Sequence, residues 1–322
     1  MKALHCPRYG SPDVLKLIDI PTPTPKRDEV RIKVKAGSIN AYDAHILRGS
    51  PILVRLMGGL FRPRNKTLGA DIAGIVDAVG EEVTAFAPGD MVYTCLADLK
   101  GDGGFTQYAC AKQSAVAHMP ACLNFAQAAA VPMAAVTALQ ALRDAGQVKK
   151  GAAVLINGAS GGVGSFAIQI AKHLGAVVTA VCAKHAAPMA RQLGADHVID
   201  YERQDFTKGS ATYDVIIDIA ANHSLSACRR VLKPNGICAV VGFSTLWHVF
   251  KVMLLGKSSP KKCVMVMANN SLGAELSELN ALLESGEIVP VIDRCYPLEK
   301  AADAFWHFEK QHVRGKIVLT LC

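Results

Sequence analysis

Apolar and polar positions alternate with period two through residues 29–36, where Val30, Ile32 and Val34 point opposite Arg31, Lys33 and Lys35. That alternation predicts a half-buried antiparallel strand. Further β patterns at 14–20, 72–79, 91–96 and 105–111 make the first third β-rich, with turn signals at 86–90 and 101–104 between them. Pro21, Pro23 and Pro25 cannot donate ladder hydrogen bonds, so they mark an exposed connection. One short helix interrupts the pattern: Asn40 caps it, Asp43 stands at its third position, and Tyr42 and His45 share one face. Residues 48–66 read as a basic, apolar loop.

From Phe125 the period lengthens, and Ala126, Ala129, Ala130, Ala134, Leu139 and Leu142 suggest packed helices broken at Pro132. Strands are then expected at 152–157, 176–182, 197–200, 213–218, 236–241 and 263–268, with helices at 163–174, 186–193, 223–232 and 272–285. Six strands alternating with helices predict an α/β fold with an open, doubly wound parallel sheet. The tail returns to β character at 289–296 and 315–321, around a helix at 300–310. Where the first of the six strands ends, Ala159-x-Gly161-x-x-Gly164 has the spacing of a dinucleotide fingerprint. Ser160, Gly161, Gly162, Val163 and Gly164 then form a phosphate loop at a helix N-terminus, and Val163, Phe166, Ala167, Ile170 and Leu174 form that helix's apolar stripe.

Composition narrows the picture. At 322 residues, about half of them apolar, the chain can bury two cores. The charge of +8 and pI near 9.0 are spread over isolated pairs such as Lys149-Lys150 and Arg229-Arg230, which favours anionic small ligands; no nucleic-acid partner is expected. Ten cysteines with no CxxC pair argue for reduced, mostly buried thiols. No signal peptide is evident, and the most apolar window, 237–255, is interrupted by Gly242, His248 and Lys251. The expectation is a cytoplasmic protein with no membrane partner.

Several short stretches, in order, carry a family resemblance: residues 68–76 (LGADIAGIV), 86–90 (FAPGD), the glycine loop 157–164, 193–201 (LGADHVIDY) and 314–319 (RGKIVL). The chain resembles zinc-independent, quinone-oxidoreductase-like members of the medium-chain dehydrogenase/reductase superfamily. The resemblance implies a split GroES-like catalytic domain, residues 1–122 and 286–322, enclosing a Rossmann NADP-binding domain at 123–285. It also implies a homodimer. A second pattern, Gly158-x-x-x-Gly162-x-Gly164 with Tyr296 and Lys300, fits short-chain dehydrogenases formally. Pro297 belongs only in a helix's first turn, and that reading leaves the β-rich first third unexplained.

Against the superfamily's zinc enzymes, Asn40 stands where a ligand Cys would be and Ala70-Asp71 where a His-Glu pair would be. No metal is expected. A carbonyl without Lewis-acid help is a poor hydride acceptor, which favours a quinone or an enone or enal. At the end of the second parallel strand Ala183-Lys184 offers a cation and no acid, the pattern for a 2′-phosphate; similar enzymes add a Tyr, here Tyr201. NADPH is therefore the expected cofactor. The resemblance also implies cofactor contacts from Asn40, Thr137, Gly242, Phe243, Arg314 and Lys316. Tyr42 and His45 fall where zinc-dependent relatives place a proton relay, so they are the candidate catalytic pair. The alternative function is an NADPH-binding protein whose main role is to bind a partner or nucleic acid; a short-chain-type or zinc alcohol dehydrogenase is a more distant one.

Overall fold

A computed structural model describes residues 1–64, 66–97, 103–242, 246–256, 258–266, 272–310 and 313–321. The chain opens with a two-stranded antiparallel pair, β1 (Lys2–His5) and β2 (Lys16–Asp19). β3 (Glu29–Ile39) realises the period-two pattern: Val30, Ile32, Val34 and Ala36 are buried, and Lys33 is exposed. Two short helices follow, α1 (Ala41–Arg48) and α2 (Ile52–Gly58), then β4 (Asp71–Val79), β5 (Met91–Cys95), β6 (Tyr108–Lys112) and β7 (Val116–His118). Residues 48–66, expected as loop throughout, thus contain α2.

After α3 (Phe125–Ala129) and α4 (Pro132–Gln140), separated at Pro132 as the sequence implied, strands and helices alternate. They are β8 (Ala153–Asn157), α5 (Gly162–His173), β9 (Val177–Cys182), α6 (Ala187–Gln192), β10 (His197–Asp200), β11 (Tyr213–Asp218), α7 (Leu225–Arg230), β12 (Leu232–Val240), α8 (Leu246–Leu255) and β13 (Lys262–Met265). α9 (Leu272–Glu284), β14 (Ile292–Pro297), α10 (Ala301–Lys310) and β15 (Lys316–Thr320) complete the chain.

Packing divides the chain into two units: Met1–Val136, Asn269–Gly286 and Pro290–Cys322 in one, Thr137–Ala268 and Glu287–Val289 in the other. The first is β-rich. Its seven-stranded mixed sheet runs β14-β15-β3-β4-β5-β7, with β6 paired to β3. Buried Ile32, Ile39, Leu47, Leu68, Ile72, Phe105, Phe305 and Ile317 fill its core. α3 packs on β3 and β4, and α9 packs on β5 and β7, where the Tyr93 hydroxyl lies 2.5 Å from Asn280 Oδ1. Residues 123–136 and 272–286 therefore pack with the β-rich unit, whereas the expected division gave 123–285 to the nucleotide-binding domain.

The second unit is a six-stranded, wholly parallel sheet in the order β10-β9-β8-β11-β12-β13. The order reverses direction at β8, where ligands of open α/β sheets bind beyond the strand C-termini. Among the described residues no helix is long and apolar enough to cross a membrane.

Candidate active site

The glycine loop joins β8 to α5. Gly158 adopts φ +91°, a left-handed conformation in which a side chain is strained. A Cβ on Gly164 would lie 2.2 Å from the Gly158 carbonyl oxygen, so the loop and the first turn of α5 approach as closely as two backbones can. At Gly161 the opposite holds: a Cβ would find only the Gly158 oxygen, 3.8 Å away, so the space outside the loop is open. Gly161 caps α5 without a side-chain hydrogen bond, and Gly162, Val163 and Gly164 open the helix. Backbone N–H groups at such an end have no intrahelical acceptor and carry the positive end of the helix dipole. Together the open cradle and the donor-rich helix end fit a dinucleotide pyrophosphate.

Of the other expected nucleotide contacts, Ala183, Lys184, Tyr201 and Gly242 follow the C-terminal ends of strands of the same sheet. Ala183 is buried after β9, and the exposed Lys184 begins a short 3-10 turn. β10 pairs with β9 through Asp200 opposite Cys182, and the Tyr201 N–H reaches the Cys182 carbonyl at 3.3 Å. Lys184 and Tyr201, the latter 47% exposed, thus stand at neighbouring strand ends. Gly242 follows β12 so tightly that a Cβ would lie 2.2 Å from the Ile219 oxygen. Thr137 is half-buried in α4, and Phe243 lies outside the described residues. In the core of this unit Asp218, Cys228 and Cys238 hold their ligand atoms within 4.8 Å of one another. Asp218 Oδ1 there accepts hydrogen bonds from Asn157 Nδ2 (2.8 Å) and the Ala221 N–H (3.0 Å).

Strand register builds a second polar centre, in the β-rich unit. Asp71 on β4 stands opposite Ser38 on β3, with Cys95 on its other side in β5. Ile39 in turn pairs with Ile317 on β15, which brings Lys316 beside Asn40. Asn40 Nδ2 donates to Asp71 Oδ2 at 2.9 Å, while the Lys316 ammonium donates to Asn40 Oδ1 and lies 3.4 Å from Asp71 Oδ2. The Met133 N–H, at the start of α4, donates to Asp71 Oδ1 at 3.0 Å, a carboxylate at a helix N-terminus. Asp43 accepts N–H bonds from Asn40 (2.8 Å), Gly69 (3.1 Å) and Ala70 (3.1 Å). Burial pushes the Asp43 carboxyl up to about 7, with the Asp71 charge adding to the rise and the Asn40 N–H and Lys316 opposing it. Desolvation and the adjacent Asp71 carboxylate hold the Cys95 thiol well above its ordinary value.

This centre does not fit a zinc ion. A zinc site takes thiolate, imidazole and carboxylate donors, whereas Asn40 and Asp71 are joined by an ammonium that is 3% exposed. A cation already stands where a metal would find its oxygen donors. Lys316, expected among the cofactor contacts, directs its amine inward onto this network, while the exposed Arg314 lies 3.8 Å from Asp293. The sequence singled out Asn40 and Lys316 separately and marked Asp71 only as a departure from zinc ligation. The signal that unites them is a lysine beginning an otherwise apolar strand, Lys316-Ile317-Val318-Leu319.

Both candidate catalytic residues lie on α1. The Tyr42 ring packs against the core of the β-rich unit with its hydroxyl oxygen buried. His45 Nδ1 lies 2.8 Å from the Ser50 carbonyl oxygen. A carbonyl only accepts, so Nδ1 carries the hydrogen in this contact.

Comparison with known proteins matches an "Alcohol dehydrogenase GroES-like domain" model at residues 26–121 and a "Zinc-binding dehydrogenase" model at 193–319. The chain is 35% identical to the quinone oxidoreductase of Sus scrofa, covering 100% of this chain and 98% of that one. It is 33% identical to a chloroplastic NADPH-dependent alkenal/one oxidoreductase of Arabidopsis thaliana, covering 99% and 79%. Among solved structures, the quinone oxidoreductase from Coxiella burnetii superposes with a TM-score of 0.90 at 32% identity, covering 100% and 99%.

Proposed function

The chain belongs to the quinone-oxidoreductase-like branch of the medium-chain dehydrogenase/reductase superfamily, and from that premise we propose that it reduces a quinone or an α,β-unsaturated carbonyl with NADPH, without a catalytic metal. The observation that carries the metal-free part is the Lys316 ammonium bonded to Asn40 and beside Asp71. Relatives named for quinone and for alkenal/one oxidoreduction support the acceptor class.

NADPH, when bound, supplies the hydride. In this reading the backbone N–H groups of Gly162, Val163 and Gly164 hold the pyrophosphate, and Lys184 with Tyr201 hold the 2′-phosphate. The choice of NADPH over NADH rests on a cation, and no Asp or Glu, in the turn after β9. The Tyr42 hydroxyl donates a hydrogen bond to the acceptor oxygen as negative charge develops on it, and His45 passes a proton inward from solvent. A homodimer joined at the edge of the parallel sheet belongs to the same reading. It is supported by β13 ending the strand order and by the exposed Phe250, Met253, Leu254 and Leu255 of the adjacent α8.

The test is NADPH consumption in the presence of simple quinones, enals and enones, beside NADP⁺ reduction with primary and secondary alcohols. Turnover with at least one conjugated acceptor and none with the alcohols is expected. Turnover confined to the alcohols, or none with any acceptor, overturns the reading; salt-sensitive binding of nucleic acid would then favour a binding role.

A further inference from the structure

Helix α2 and the turn after it present apolar side chains on a face that is exposed among the described residues. Val54 packs inward on the core of the β-rich unit, and Arg55 is held by the Gly49 carbonyl (2.9 Å) and the Tyr9 ring (5.0 Å). Ile52, Leu53, Leu56, Met57, Leu60 and Phe61 point outward, with Leu56 63% and Phe61 89% exposed. The segment is held in shape: the Tyr9 hydroxyl donates to the Gly59 carbonyl at 2.5 Å, and the Arg64 N–H donates to Gly58 at 2.7 Å. Single exposed apolar residues are ordinary, but six within residues 52–61, two of them this far out, form a patch that marks an interaction surface.

Charge identifies the occupant. No Asp or Glu occurs between Asp43 and Asp71, while the exposed Arg62, Arg64 and Lys66 flank the patch. Among the described residues, Arg62 and Arg64 have no ion-pair partner. A short element with an outward apolar face and a cationic flank is the composition of segments that lie in the interface of an anionic bilayer. Two copies of this chain meeting through the same patch would oppose like charges. Protruding side chains such as Phe61 suit insertion between lipid headgroups.

We infer that residues 52–64, with Lys66, dock the protein on anionic membrane surfaces, Leu56, Met57, Leu60 and Phe61 entering the interface while Arg62, Arg64 and Lys66 meet lipid phosphates. Such docking needs no spanning helix, and the inference stands independently of the acceptor proposed above.

Sedimentation of the full-length chain with vesicles of equal parts phosphatidylcholine and phosphatidylglycerol tests it, with pure phosphatidylcholine vesicles as the comparison. The wild-type chain is expected to pellet with the anionic vesicles and be released at roughly 1 M salt, where charges are screened within about 3 Å. The pair Leu56→Ser and Phe61→Ser should lower partitioning at least tenfold, roughly, since each removes an inserted side chain. Arg62→Gln and Arg64→Gln should each lower it about fivefold on anionic vesicles only. Circular dichroism and NADPH turnover of these surface variants should match wild type, so a loss of docking is read apart from a loss of fold. A wild-type chain that stays in the supernatant, or variants that pellet like wild type, overturns the inference. Self-association lost in the Leu56→Ser, Phe61→Ser variant would assign the patch to a second copy and overturn it equally.

Discussion

Replacing Lys316 with Met tests the buried centre most sharply. The substitution keeps much of the aliphatic stem and removes an ammonium that bonds Asn40 Oδ1 and stands 3.4 Å from Asp71 Oδ2, at positions that are nearly or fully buried. Removing one member of a buried pair leaves an uncompensated charge and costs about 3–5 kcal/mol. Asp71 keeps donations from Asn40 Nδ2 (2.9 Å), the Met133 N–H (3.0 Å) and the Ser38 hydroxyl (3.3 Å), so the lower end, about 3 kcal/mol, is expected. Adding Asp71→Asn removes the stranded charge and should recover at least half of that loss, a coupling of roughly 1.5 kcal/mol or more. Equilibrium urea unfolding of wild type, both single variants and the double variant measures it. A loss below about 1 kcal/mol for Lys316→Met, or the same loss when Lys316→Met is added to Asp71→Asn, refutes the ion-pair account.

Lys184→Ala should raise the KM for NADPH about 10- to 100-fold, the worth of a charge-assisted hydrogen bond, and leave NADH kinetics unchanged; an equal loss with both cofactors would remove Lys184 from the 2′-phosphate site. Tyr42→Phe should lower kcat with an enone by roughly 100-fold while the KM for NADPH stays put, as expected for a group acting on the developing oxyanion; unchanged turnover would reject the hydroxyl. Asp43 gives a pH signature. Its folded value, about 7, lies above the unfolded 3.8, so its contribution to stability is fully present below about 4 and lost as pH rises toward 7. Wild type should lose up to roughly 4 kcal/mol relative to Asp43→Asn across that window in urea titrations; parallel pH profiles would contradict the assignment.

The two larger sheets were legible because their strands repeat a simple pattern. The alternation at 29–36 recurs as the buried and exposed positions of β3, and the six apolar runs after Ala152 recur as the parallel strands. The short elements were not legible. β1 is four residues, Lys-Ala-Leu-His, too short to show an alternating pattern. α2 is apolar inward at Val54 and outward at Leu56 and Met57, so it has no helical stripe to detect. α8, inside a stretch without a readable pattern, combines the same fault with a hydrophobic composition.

The nucleotide loop could be found from sequence because glycines close together in the chain build it. The Asn40, Asp71 and Lys316 centre could not, since its members are separated by 31 and 245 positions and meet only through strand register. Sequence showed each as a departure from zinc ligation or as a cation in the tail. Only the pairing of β4, β3 and β15 brings the lysine beside Asn40 and Asp71.

The most direct test of the central claim is hydride transfer by chelator-treated protein, using NADPH deuterated at nicotinamide C4 and an enone acceptor. The account predicts deuterium at the β-carbon of the reduced product, at a rate equal to that of untreated protein. Reduction that vanishes on metal removal and returns with zinc, or a product without deuterium from either C4 position, would contradict it.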